Sequence, residues 1–89
     1  MRYWATEHAA KRLLERFRLA INELEAKQVL RQMATRAIEI NKRTSKGNIA
    51  HLLDVQTGAR LVVERNKGVI ITVYNVRSLL NDNLDEVSV

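Results

Sequence analysis

Five side chains have the types and spacing to act on a phosphodiester: His8, Arg12 and Arg16 near the start of the chain, and Thr72 and Tyr74 near its end. His8, Arg12 and Arg16 are spaced i, i+4, i+8, so on a helix they stack along one side. Two cations at that spacing repel by a few tenths of a kcal/mol, and an anion bound over them reverses the sign. Their ordinary reading is a solvated helix face. Histidine titrates near neutral pH and serves as base or acid. Arginine keeps its charge and grips two phosphate oxygens. Thr and Tyr hydroxyls hydrogen-bond a phosphate, and Tyr can relay a proton. Together they suit metal-free cleavage of RNA, in which a ribose 2′-OH attacks the adjacent phosphate. That reaction needs a base for the 2′-OH, an acid for the 5′-oxygen and cations for the added negative charge.

Other chemistries find less support. His8 and His51 have no partner at metal-ligand spacing, and no His-x-x-x-His occurs. There is no Gly-x-Ser-x-Gly, no dinucleotide fingerprint and no Walker loop. The stretch 41–48, NKRTSKGN, carries Lys42, Arg43 and Lys46 beside Thr44, Ser45 and Gly47. It reads as a basic loop, either a solvated connector or a phosphate contact. His51 falls on a strand. It is a buried structural residue, or a second acid/base group if the register turns it to the open side.

The elements that position these residues follow from pattern. Residues 1–5 read as a short edge strand or an ordered arm, with Tyr3 and Trp4 as anchors. Thr6 caps a helix running to about Leu19, with Ala10, Leu13, Leu14, Phe17 and Ile21 on one apolar face. Asn22, with Glu25 three residues on, caps a second helix. Its buried face is Ala26, Val29, Leu30, Met33, Ala37 and Ile40, opposite Lys27, Arg31 and Arg36. A connection of two or three residues makes the two helices an αα-hairpin. Strands follow at about Asn48–Val55, Ala59–Arg65 and Gly68–Asn75. Turns at Gln56-Thr57-Gly58 and Asn66-Lys67-Gly68 separate them, Gly68 taking a positive φ.

A three-residue turn at 66–68 sets Val63 opposite Ile71 and Leu61 opposite Val73, on an apolar face under the helices. Arg60, Val62, Glu64, Ile70, Thr72 and Tyr74 then line the other face, with Arg60 opposite Tyr74. Left open, that half-polar face is a binding surface, or an ordinary solvated sheet face. The expected fold is α+β: an N-terminal αα-hairpin packed on a C-terminal antiparallel meander of three or four strands. It occupies residues 1–77 as one domain, followed by an acidic, fraying tail at 78–89.

This order of features resembles the small ribonuclease-toxin fold shared by barnase, EndoU, colicin and RelE-type toxins. The resemblance lies in His8-AAK-Arg12-LLE-Arg16, a second helix, an antiparallel sheet and the closing strand Ile71-Thr72-Val73-Tyr74. Arg65 before the last turn and Lys67 in it also fit. The likeness spans about residues 6–75. It implies His8 as general base or acid and Arg12 or Arg16 on the scissile phosphate. It implies Thr72 as a hydrogen-bond donor to that phosphate and Tyr74 as an orienting or proton-transferring group. Lys42, Arg43, Lys46, Arg60, Arg65 and Lys67 would hold the nucleic acid.

Composition agrees with a nucleic-acid partner. The 89 residues carry a net charge of +5, and residues 1–77 hold all 15 Lys and Arg. The last twelve hold Asp82, Asp85 and Glu86 and no base. A basic domain attracts polyanions. The absence of cysteine favours a reducing compartment, and no apolar run is long enough for a membrane span or a secretory signal. The expectation is therefore a cytoplasmic, cofactor-free endoribonuclease of toxin type acting on RNA, with tRNA and ribosome-bound mRNA as candidate targets and an inhibitor protein as a candidate partner. The alternative is a non-catalytic basic module that binds nucleic acid or regulates a nucleic-acid enzyme.

Overall fold

The computed structural model describes residues 2–43 and 46–77. Seven elements run in order: β1 (Trp4–Ala5), α1 (Glu7–Arg16), α2 (Glu23–Arg36), β2 (Ile38–Ile40), β3 (Ile49–Asp54), β4 (Ala59–Glu64) and β5 (Val69–Asn75). The two helices cover one face of a single sheet of strand order β1-β5-β4-β3-β2. The α+β class holds, with the helices ahead of most of the sheet. The antiparallel meander of three or four strands is corrected to a mixed sheet of five, because β1 pairs parallel to β5. The acidic segment 78–89 and its expected fraying lie outside the described residues. Among the described residues no helix is long and apolar enough to cross a membrane.

Ile38–Ile40 account for the strand that was not expected. Ala37 and Ile40 were expected on the second helix, but α2 stops at Arg36 and Ala37 is already extended. Ile38-Glu39-Ile40 alternates with period two and places β-branched residues where a strand favours them. It pairs antiparallel with β3, Ile40 opposite His51. The short edge strand weighed for residues 1–5 forms as β1 over Trp4–Ala5. It is fixed by Trp4 N–H donating to the Gly68 carbonyl at 2.9 Å and Thr6 N–H donating to the Ile70 carbonyl at 3.2 Å.

Both expected N-caps form. The Thr6 hydroxyl oxygen accepts from Ala9 N–H at 3.0 Å, and Asn22 Oδ1 accepts from Glu25 N–H at 2.8 Å. The Thr6 hydroxyl also donates to the Ile70 carbonyl at 3.2 Å, so the cap ties the start of α1 to β5. The end of α1 comes earlier than Leu19. Arg18 takes φ 51°, and Leu19 N–H returns to the Leu14 carbonyl at 3.1 Å, a Schellman closure with arginine at the position glycine favours. Residues 17–22 thus link the helices, a longer connection than the two or three residues expected.

The core lies between the layers. Leu13, Leu30, Met33, Leu52, Leu61, Val63, Ile70 and Val73 supply its bulk. Ala9, Ala10, Ala26, Ala34 and Ala59 let backbones approach closely. Ile70 is fully buried and Ile71 is 37% exposed, the reverse of the expectation. The turn has four residues, 65–68, so Glu64 pairs with Val69 and Val63 with Ile70. A bulge at Ile71 then restores the expected partners Val62–Thr72, Leu61–Val73 and Arg60–Tyr74.

The hairpin turns at 55–58 and 65–68 share one device: an acidic residue ahead of the turn, and glycine in the left-handed region at its end. Glu64 accepts from Asn66 and Lys67 N–H at 2.9 and 3.0 Å, and Gly68 has φ 66°. A Cβ on Gly68 would lie 2.5 Å from the Arg2 carbonyl oxygen, so the same glycine admits the N-terminal strand. In the other turn Asp54, 1% exposed, accepts from Thr57 Oγ1 at 2.6 Å. It also takes a two-pronged bond from Arg36 Nε and Nη2 at 2.9 and 2.8 Å. Arg36 was expected to face solvent with Lys27 and Arg31. It is exposed there, and its guanidinium also fastens the end of α2 to the sheet.

The Arg36 guanidinium holds the Asp54 carboxyl below its ordinary value, opposed by burial and aided by the Thr57 hydroxyl. A carboxyl depressed in the folded state contributes stability that is present above its unfolded-state pKa and is lost as pH falls through the folded one. Asp54→Asn is therefore expected to lose about 1–3 kcal/mol at pH 7. The gap from wild type should narrow as pH drops below the ordinary carboxyl range; urea melts across pH measure it, and a gap independent of pH would refute the linkage. Arg18→Gly should raise stability by roughly 0.5–1 kcal/mol by relieving the left-handed backbone. An unchanged or lower denaturation midpoint would contradict that account.

Candidate functional site

The face of the sheet away from the helices is built by strand alternation. On β3, Ala50, Leu52 and Asp54 are buried on the helix side, which turns Ile49, His51 and Leu53 to the open side. On β4, Ala59, Leu61 and Val63 are buried, and Arg60, Val62 and Glu64 turn out. Past the bulge, β5 buries Val73 and turns out Thr72 and Tyr74. Pairing sets these side chains in rows. Leu53, Arg60 and Tyr74 form one row, and His51, Val62 and Thr72 form the next. His51 and Thr72 are two strand spacings apart, about 10 Å, with Val62 between them.

Tyr74 is where the polar residues of this face meet. The Arg16 guanidinium carbon lies 4.5 Å from the ring centroid and that of Arg60 4.9 Å. Arg16 arrives from the last turn of α1. Its Nη1 donates to the Val73 carbonyl at 2.7 Å, and Asn75 Nδ2 donates back to the Arg16 carbonyl at 3.1 Å. Beyond Ala5, β1 no longer covers β5, and an arginine takes its place on the exposed strand edge. Two guanidiniums on one phenol ring concentrate positive charge beside a hydroxyl, a pairing that cation–π attraction permits where bare repulsion would not. The Arg60 Nε is buried without a hydrogen-bond partner, and so is the Nδ1 of His51. Most buried polar atoms are paired, and Glu23 Oε1 on α2 is likewise buried without a partner.

The five expected catalytic residues divide between two places. Arg16, Thr72 and Tyr74 come together through β5. His8 is exposed in the first turn of α1, eight residues before Arg16 and so about 12 Å away along the helix axis. Arg12, between them, donates from Nη1 to Glu15 at 2.8 Å. The stripe runs beside β5, since Thr6 is bonded to Ile70 at one end and Arg16 to Val73 at the other.

The expected nucleic-acid-binding residues also separate. Arg60 belongs to the Tyr74 stack. Lys42, Arg43 and Lys46 are exposed between β2 and β3, and Arg65 and Lys67 are exposed in the β4–β5 turn. The Arg65 N–H donating to the Asn48 carbonyl at 2.7 Å joins that turn to the start of β3, at the opposite end of the sheet from Tyr74. Arg65 is also paired with Glu39 at 2.7 Å. Lys67, Asn48, Glu64, Asn66, Val69 and Ile71 line an open hollow there. Asn75 is the residue at the site that spacing did not reveal. Its only signal was a polar side chain ending an apolar strand. Among the described residues no three of His, Asp and Glu group as metal ligands.

No protein-family model, curated protein or solved structure matches the chain.

The stack on Tyr74 depends on the ring and not on its hydroxyl. Tyr74→Phe should therefore leave stability within about 0.5 kcal/mol of wild type, while Tyr74→Leu should lose roughly 1–2 kcal/mol from both cation–π contacts. Thermal melts of the two variants check this, and equal losses would refute the stack as described.

Proposed function

We propose that the chain is a metal-independent endoribonuclease of toxin type, with its site on the open face of the sheet around Tyr74. The observation that carries the reading is the convergence of Arg16 and Arg60 on the Tyr74 ring, with Thr72 and His51 in the adjoining row. The two guanidiniums take the non-bridging oxygens of the scissile phosphate and stabilise the charge added as it becomes five-coordinate. Thr72 hydrogen-bonds the same group. A histidine accepts the proton of the ribose 2′-OH as its oxygen bonds to phosphorus. Tyr74 delivers a proton to the departing 5′-oxygen as the P–O bond breaks.

His51 shares the face with these groups and is the better placed base; His8 holds that role if the RNA wraps the β5 edge onto α1. Ile49, Val62, Val69 and Ile71 offer apolar surface between the Tyr74 stack and the basic loops at the far end, which suits a single strand laid along β4 and β5. The likeness to the RelE, colicin, EndoU and barnase group supports the same reading, and with it an inhibitor protein and a cytoplasmic RNA target. A non-catalytic RNA-binding module is the second reading. It is favoured by the engagement of Arg12 with Glu15 and of Arg16 with Val73, which leaves fewer free cations for a reacting phosphate.

Total RNA incubated with the protein in EDTA separates the two. The expected outcome is cleavage to cyclic-phosphate ends, slowed about 100-fold or more by Tyr74→Phe and by His51→Ala, with a smaller effect of His8→Ala. A larger loss in His8→Ala transfers the base to α1. Retained RNA binding without cleavage by the wild type overturns the enzyme and establishes the module.

A further inference from the structure

A second basic hollow lies on the helix side of the molecule, between the N-terminal strand and α2. Arg2, Tyr3, Gln28, Arg31, Gln32 and Thr35 line a space of about 350 Å³. The four α2 positions fall at i, i+3, i+4 and i+7, one helical face. Every lining side chain is a cation or a hydrogen-bonding group, and none is a carboxylate. Among the described residues neither Arg2 nor Arg31 has an acidic partner, in contrast to Arg12, Arg36 and Arg65. Arg31 lies 5.2 Å from the centroid of the Trp4 ring, and Trp4 is 56% exposed. Large aromatic side chains are normally turned inward, whereas Trp4 pairs with Val69 on the open side of the sheet, where Arg31, which also lines the hollow, reaches its ring around the β1 edge.

Two guanidiniums, two amides and a phenol make a donor set for phosphate oxygens, while the Thr35 hydroxyl already donates to the Arg31 carbonyl at 2.8 Å. The volume is at the lower end of small-ligand pockets, room for more than a bare oxyanion. An exposed indole beside one arginine, with a second arginine in the adjoining hollow, suits one unit of a single strand, the base on the ring and the phosphate on the cations. We propose that this hollow is an auxiliary site for single-stranded nucleic acid, taking a backbone phosphate between Arg2 and Arg31 and a base on Trp4. The choice of nucleic acid as ligand rests on the RNA reading of the Tyr74 face, and the hollow extends that footprint to a second side of the domain.

Trp4 is the protein's only tryptophan; its ring lies against Arg31 and shares the open side of the sheet with Val69, so loss of the signal in Arg31→Gln is what assigns quenching to the hollow. The probe is a short oligodeoxythymidylate, which lacks the 2′-OH that the proposed reaction consumes. Saturable, salt-sensitive quenching is expected, with affinity lowered about tenfold in Arg31→Gln and in Arg2→Gln. Circular dichroism of both variants should match wild type. Inorganic phosphate is expected to compete only weakly. If it saturates the site and abolishes oligonucleotide quenching at equal concentration, the hollow is a free-anion site and the strand proposal fails. Quenching by polyglutamate as strong as that by the oligonucleotide would point to an acidic protein and also overturns it. Anisotropy of a labelled oligonucleotide separates this site from the other. Binding without quenching, unchanged in Arg31→Gln, removes the auxiliary site and leaves the Tyr74 reading intact. Quenching retained in a protein that does not cleave RNA leaves the hollow standing and removes the enzyme.

Discussion

The register between β4 and β5 governs both the core and the candidate site. Side chains of a strand alternate, so a slip of one residue would exchange every buried group for an exposed one. Here the slip happens once and is undone once. The four-residue turn at 65–68 places Ile70 in the core, and the bulge at Ile71 returns the pairing that sets Arg60 opposite Tyr74 and Val62 opposite Thr72. Without the bulge, Thr72 and Tyr74 would point into the helices and Val73 would lie on the open face. The single unpaired residue therefore lets one strand fill the core at both ends and still present a hydroxyl and a phenol outside.

A second dependence runs through α1. Its start is bonded to β5 by Thr6 and its end by Arg16, so the helix and the strand form one unit. Arg16 does three things at once: it completes the last turn of the helix, occupies a carbonyl on the uncovered strand edge, and lies over Tyr74. Asn75 answers by donating to the Arg16 carbonyl. The position of one charged group on the open face is thus set by the packing of the opposite layer. Within the same helical layer, Arg36 and Asp54 fasten α2 to the β3–β4 turn in a comparable way.

Much of this was legible in residue order. The caps Thr6 and Asn22, the apolar stripes of both helices, three of the strands and both glycine turns follow from local rules. The pairs Arg60–Tyr74 and Val62–Thr72 were expected from a three-residue turn and form instead through a four-residue turn and the bulge at Ile71. What escaped was non-local or marginal. Ile38–Ile40 is too short for its alternation to stand out against a preceding helical stripe ending in Ile40. The parallel docking of Trp4–Ala5 depends on a partner 65 positions away. The exchange of Ile70 and Ile71 is invisible because both are β-branched and equally apolar. Within the site, Arg16, Thr72 and Tyr74 were found by type and spacing. The place of His51 required the β3 register, and the pairing of Arg2 and Arg31 around an exposed Trp4 required the tertiary fold.

The parallel pairing of β1 with β5 has a consequence for how the molecule is made. The first strand cannot find its place until the last has been formed, because Trp4 and Thr6 bond to Gly68 and Ile70. Contacts so distant in sequence are late and slow to form. A chain emerging from the ribosome would carry α1 and α2 with one flank of their apolar faces uncovered until residue 70 is free. Arg16 would meet Tyr74 only after that step. The candidate site would then come into being last, as the closing event of folding, and an incomplete chain would lack it.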